Sequence, residues 1–298
     1  MDRVSEPNAE TETGILQGIR DAYPGLSPSY AKVARYVLDN YQDVAFMTAT
    51  YLAAKADVSE SVVVRFAMHL GYSGYPDMRR EIQAIVKSQL SPVARLASQE
   101  ESEIHPGLSV EEIFKRTVHR DMMILEQTAN LRENVEAVEK TVDAILGAHR
   151  VYCVGLGGLK NLAEMLSLSL GFLGYSTYRV KQGEVYMQHD LSHIREDDVV
   201  ITFSYPRHIR RAIEALEIAK KAGATTVAIT ESFSSPAALV ADIPIIAVTQ
   251  KDALFNSYCS AISLINTLVQ SCLMKDLERC RGELKKVEAM LPEDDFWN

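Results

Sequence analysis

The segment TATYLAAKADVSESVVVRFAMHLGYSGYPDMRREI, Thr48 to Ile82, contains two helices joined by a few residues. Thr48 opens the first helix, TATYLAAKA, and Asp57-Val58-Ser59 forms a tight turn. Ser59 opens the second, SESVVVRFAMHL, and Gly71 closes it. Ser and Thr open helices because a side-chain oxygen accepts from an orphan backbone N–H; Gly closes them because it enters the left-handed region without a Cβ penalty. A helix, a short turn and a second helix are the parts that place a helix in the major groove of DNA. The groove-facing candidates are Ser59, Glu60, Ser61 and Arg65 on the first turns of the second helix, with Thr48, His69 and Arg79 flanking them. Hydroxyls bond phosphates or bases, and Arg takes guanine in two bonds. Glu60 also reads as a solvated acid complementing the helix dipole. The pattern alone is a weak signal, because many helical hairpins of a plain bundle look similar.

Upstream, SPSYAKVARYVLDNY puts Tyr30, Val33, Ala34, Val37, Leu38 and Tyr41 on one helical stripe, with Ser27 as cap and Pro28 at the first helical position. A further helix follows Pro76. Residues 1–14 are polar and acidic and read as a disordered lead-in, so the helical domain is expected over 15–90. Pro92, the run QEESE and His105-Pro106-Gly107 mark a linker over 91–109. Two more helices are expected over 110–129 and 131–146.

From Arg150 the period changes. The runs RVYCVG, YSTYRV, DDVVITFS, ATTVAIT and DIPIIAVT alternate with helical stretches, the last from about Ala253 to Cys280. Continuous apolar strands alternating with helices imply a five-stranded parallel sheet covered on both faces, a three-layer α-β-α, flavodoxin-like domain. This domain, with its flanking helices, is expected over 110–290. Ligands of such sheets bind beyond the C-terminal strand ends. That places Gly155, Gly157, Gly158, Ser204, Arg207, Thr230, Ser232 and Ser235 at a candidate ligand site.

Composition bounds the classes. The chain of 298 residues is 47% hydrophobic and 24% charged, ordinary for a soluble globular protein. No apolar run approaches the roughly 18 residues of a membrane span, so no membrane partner is expected. Cys153, Cys259, Cys272 and Cys280 show no paired spacing and read as packed thiols of a cytoplasmic protein. The net charge of −9 opposes DNA binding overall, but Leu26 to Leu90 holds seven basic and six acidic residues. A near-neutral reader of DNA needs partners, so a homodimer or homotetramer on double-stranded operator DNA is expected.

The ordered series Val58-Ser59, Arg65-Phe66, Leu70-Gly71-Tyr72 and Gly74-Tyr75 resembles the helix-turn-helix domain of the RpiR family of bacterial regulators, with Val62 where a Thr is usual. The stretch from Ala148 to Gln270 resembles the SIS (sugar isomerase) domain that follows it in that family. The likeness lies in the glycines after the first strand, the helix from Ile213 to Ala224, the loop from Ala228 to Pro236, and Ala241-Asp242. The resemblance implies a transcription regulator of a metabolic operon whose SIS domain senses a sugar phosphate or related small anion. Hydroxyl-rich phosphate loops of such domains are replaced here by Leu159 and by Ser204-Tyr205-Pro206-Arg207-His208-Ile209. The pocket is therefore expected to be drier, with Arg207, placed at a helix start, either on the anion or paired with Glu184 or Glu231.

Other readings remain. Gly155 and Gly157 begin a dinucleotide fingerprint, but Lys160 ends it, so no cofactor is expected. His189, Asp190 and His193 lie between strands and are not expected to hold a metal. Glu184 and His208 suit the acid and base of an isomerase, the alternative to a sensor; a decayed, non-binding SIS scaffold is a third reading.

Overall fold

The computed structural model describes residues 15–89, 107–250 and 255–290. The expected lead-in and most of the expected linker lie outside the described residues. The chain divides into two compact units, each with its own core. No described helix is long and apolar enough to cross a membrane.

The N-terminal unit is helical: α1 (Ile15–Ala22), α2 (Pro28–Val44), α3 (Ala49–Lys55), α4 (Glu60–His69) and α5 (Tyr75–Gln89). Ser27 and Thr48 cap α2 and α3 as their sequence positions imply, accepting from Tyr30 N and Tyr51 N. Ser59 stands at the cap of α4 but makes no capping bond; its Oγ lies 3.0 Å from Ser61 Oγ instead. Asp57 turns the chain between α3 and α4 at φ 52°, and Lys32 Nζ meets its carboxylate at 2.6 Å. Gly71 ends α4 at φ 91°, the left-handed stop expected of it. Val33, Val37, Leu52, Val63, Phe66, Met78 and Ile82 are wholly buried together. Along α5, Tyr75 Oη, Arg79 Nη1 and Gln83 Nε2, four residues apart, reach the carbonyls of Met47, Met47 and Ala45 at 3.0, 3.1 and 2.7 Å. They satisfy carbonyls of the turn after α2 that no helix bond can reach.

The C-terminal unit opens with α6 (Val110–Ala129) and α7 (Arg132–Gly147), followed by β1 (Val151–Gly155), α8 (Lys160–Phe172), β2 (Thr177–Arg179) and α9 (Glu184–Leu191). Then come β3 (Val199–Phe203), α10 (Arg210–Lys221), β4 (Thr225–Thr230), α11 (Pro236–Val240), β5 (Ile243–Ile246), α12 (Cys259–Lys275) and α13 (Leu277–Met290). Every strand pair is parallel, in the order β2-β1-β3-β4-β5. Alternate residues face opposite layers. Val151, Cys153, Ile201, Val227 and Ile229 pack under α7, α8 and α12, whereas Tyr152, Val154 and Val200 pack under α9 and α10. The three-layer expectation holds.

The QHDLSH region lies between β2 and β3 as expected, most of it within α9. Two local expectations do not hold. The long last helix starts at Cys259, not Ala253, and breaks at Asp276 (φ −132°, ψ 51°) into α12 and α13. Only Thr177–Arg179 of YSTYRV pairs in the sheet. Cys153, Cys272 and Cys280 are buried and Cys259 partly so, all free; burial pushes the Cys153 and Cys272 thiols up to about 12, so both stay protonated.

The β5 edge is sealed by side chains. Buried Asn134 on α7 donates to Ile246 O and accepts from Ile246 N, both at 2.8 Å, as a neighbouring strand would. Thr128 Oγ1 accepts from Val248 N at 3.1 Å.

Candidate functional site

Strand order reverses between β1 and β3, and a crevice opens beyond their C-terminal ends, as such sheets require. The crevice is a cleft of about 280 Å³. After β1 the chain turns through Leu156, Gly157 and Gly158 into α8. Gly155 has no room for a Cβ, which would strike the Leu159 carbonyl, and Gly157 takes φ 60°. The turn brings its backbone to the cleft wall, with Gly158 beside the Tyr258 hydroxyl (3.5 Å from an added Cβ).

The opposite wall is the loop after β3. Ser204, 1% exposed, lies at the strand end, and its Oγ is 2.9 Å from His208 Nδ1. His208 Nε2 lies 3.2 Å from Glu231 Oε1, and Thr230 Oγ1 meets Glu231 Oε2 at 2.8 Å. Hydroxyl, imidazole and carboxylate thus form one chain from the cleft to the end of β4. Arg207 lines the cleft, exposed, at φ 75°. It precedes the helix by three residues, because α10 starts only at Arg210, so it does not stand at a helix start as expected. Among the described residues no acid pairs with it: Glu231 is engaged by His208.

Tyr205, Asn256 and Tyr258 also line the cleft; Tyr205 belongs to the loop expected there, whereas Asn256 and Tyr258 were not expected from the sequence. Tyr205 and Tyr258 meet edge to face, with ring centroids 5.6 Å apart. Burial, then Glu231 and Tyr258, hold the Tyr205 phenol well above its ordinary range, so it remains a hydrogen-bond donor. Yet, among the described residues, Tyr205 Oη and Asn256 Oδ1 are both buried without a hydrogen-bond partner. Such orphans are uncommon, and beside a cleft they are the groups a ligand would satisfy.

Of the eight expected ligand residues, Gly157, Gly158, Ser204 and Arg207 line this cleft, and Gly155 packs behind it. Thr230, Ser232 and Ser235 do not. Ser235 caps α11 through Ala238 N and bonds Thr230, and Ser232 Oγ bonds Ser234 Oγ at 3.1 Å. The loop's serines shape the turn into α11 rather than the cleft.

In the N-terminal unit, Thr48, Ser59, Glu60, Ser61, Arg65 and His69 are all exposed. Glu60 Oε2 accepts from Thr50 Oγ1 at 2.7 Å and so ties α4 to α3. The His69 ring packs on Tyr30, with centroids 5.4 Å apart. Arg79 is the exception to the expected set: it is half-buried on the Met47 carbonyl, and the fold uses its guanidinium. His189 and His193 do adjoin, but Asp190 is already bonded by Tyr178 Oη and Lys181 N.

A helical unit built around a helix-turn-helix, followed by a parallel α/β unit with a cleft at its switch point, defines the helix-turn-helix regulators that carry a SIS domain. Residues 13–89 match the rpiR-family helix-turn-helix domain and residues 144–271 the SIS domain. A helix-turn-helix transcriptional regulator of Caldanaerobacter subterraneus is 25% identical over 82% of this chain and 83% of its own. The sugar isomerase domain of an RpiR transcription factor from Sphaerobacter thermophilus is 30% identical, with TM-score 0.56, over 59% of this chain and 97% of that one. The Vibrio vulnificus NanR protein complexed with ManNAc-6P shares the fold at 20% identity and TM-score 0.63, over 92% of this chain and 96% of that one. The chain belongs to the RpiR family of transcription regulators.

Proposed function

We propose that this regulator reads operator DNA through α4 and binds a small anionic metabolite in the cleft between β1 and β3, and that occupancy of the cleft modulates operator binding. The pair of buried orphans, Tyr205 Oη and Asn256 Oδ1, on residues that line a cleft where Arg207 meets no acid among the described residues, carries this reading. NanR, which shares the fold, is complexed with a sugar phosphate, and that supports a phosphate- or carboxylate-bearing effector here. Leu159 and Ile209 stand where hydroxyls are usual, so the effector carries an apolar portion against them and its charge near Arg207. The regulator works as a homodimer or homotetramer, and it senses its ligand rather than converting it.

Full-length protein screened by thermal shift against sugar phosphates and carboxylates would identify the effector, since a ligand of the native state raises the melting temperature. Burying an anion without its guanidinium leaves the charge uncompensated. Arg207→Ala is therefore expected to cost at least ~2 kcal/mol of effector affinity by calorimetry, with ligand-free operator binding unchanged. Equal binding by the mutant would refute the placement of the anion. The enzyme alternative keeps one observation in its favour, the His208–Glu231 pair at the cleft. Turnover of any sugar phosphate that binds would establish it.

A further inference from the structure

The hydrogen-bond chain Ser204–His208–Glu231 does more than line the cleft, because its protons are not free to be placed at will. A carboxylate only accepts, so Glu231 fixes the hydrogen of His208 on Nε2, 3.2 Å away. The neutral ring then has a bare Nδ1, and Ser204, 2.9 Å from it, must donate its single hydrogen there. In this state Ser204 offers the cleft lone pairs only, which repel an anion. A proton on Nδ1 reverses the bond: the imidazolium donates to Ser204 Oγ, and the hydroxyl hydrogen is released to the cleft.

We infer that binding of a fully ionised anion in this cleft is coupled to uptake of one proton by His208, which turns Ser204 from acceptor to donor. The inference rests on the reading of the cleft as the effector site, and it deepens that reading. With His208 neutral, the same position selects a ligand group that brings its own hydrogen, such as a hydroxyl or a singly protonated phosphate. The groups facing His208 set the balance. Glu231, at the end of β4, favours the imidazolium, and Arg207, next in sequence, opposes it. Tyr205, on the same loop, and Tyr258, before α12, add no charge while their phenols are protonated. An arriving anion neutralises the opposition of Arg207.

The test uses full-length protein and inorganic sulfate, which carries no titrating proton near neutrality, so any pH dependence belongs to the protein. Calorimetry in buffers of different ionisation heat measures both affinity and proton uptake. Sulfate affinity should rise as pH falls from about 8 to about 6, by up to about tenfold per unit, with up to one proton taken up on binding. His208→Asn places an amide where Nδ1 stood and should bind sulfate with a flat profile and no uptake. Glu231→Gln keeps a polar partner but removes the charge, and should move the midpoint to lower pH. Sulfate binding that ignores pH in the wild type, or a midpoint unmoved in Glu231→Gln, overturns the proton coupling and leaves the anion cleft standing. No sulfate binding at any pH, with the protein folded, overturns both.

Discussion

Arg65 Nε donates to Ser61 O one turn back at 3.2 Å, while the side chain stays exposed beside the start of α4. The tether holds the guanidinium against α4, the helix proposed to enter the groove. Arg65→Ala is therefore expected to weaken operator binding by about 1–3 kcal/mol, read by gel-shift titration at fixed salt, with the melting curve unchanged. Wild-type affinity in the mutant would remove Arg65 from the interface. Arg79 shows what a sequence conceals at this scale. As a letter it resembles Arg65, but its i, i+4, i+8 relation to Tyr75 and Gln83 turns it toward the Met47 carbonyl. Arg207 was legible as a cleft residue from its place in the loop after β3, but the sequence left open whether it meets an anion or pairs with an acid. Its left-handed backbone was not legible, since a non-glycine residue in that region leaves no trace in composition. The orphaned atoms of Tyr205 and Asn256 went unread for a related reason: an aromatic after a strand reads as core, and only a missing partner marks it as more.

Element boundaries were legible where one residue settles them. Pro28 starts α2, Gly71 ends α4, and the Ser109–Glu112 capping box opens α6 close to where the linker was expected to finish. They were not legible where tertiary packing chooses. Nothing in the apolar period of α12 and α13 announces the break at Asp276, and the short β2 is limited by its single neighbour, β1. The β5 edge depends on an element distant in sequence. Asn134 is 5% exposed; its Nδ2 donates to the Ile246 and Thr128 carbonyls, and its Oδ1 accepts from Ile246 N. Replacing it strands a buried N–H and a carbonyl of Ile246. Asn134→Leu is expected to cost about 2–4 kcal/mol, measured by urea unfolding, with the loss coming from two desolvated backbone groups. A cost below half a kcal/mol would mean that water or a neighbour takes over the edge.

For the whole molecule, the near-neutral helix-turn-helix suggests that a single copy binds DNA weakly, and we propose that affinity comes from symmetry. The surface of α6 suits that need. Val110, Phe114, Val118 and Met122, spaced four apart, are 84, 67, 42 and 61% exposed, an apolar row unusual for a helix facing solvent. The wild type should scatter light as a dimer or tetramer at micromolar concentration, and Phe114→Asp with Val118→Asp should lower that mass and the operator affinity together. An unchanged mass would move the interface elsewhere, and a monomeric wild type with full affinity would end the symmetric reading; half-sites are expected at ~10 bp or a multiple. The sealed β5 edge bears on the life of the chain before any partner arrives. Parallel sheets form slowly and expose strand edges that other half-made chains can capture. Asn134 lies 112 residues ahead of Ile246, so it leaves the ribosome first. The last strand of the sheet is thus translated after the residue that closes it, and its outer edge need never be offered to another nascent chain.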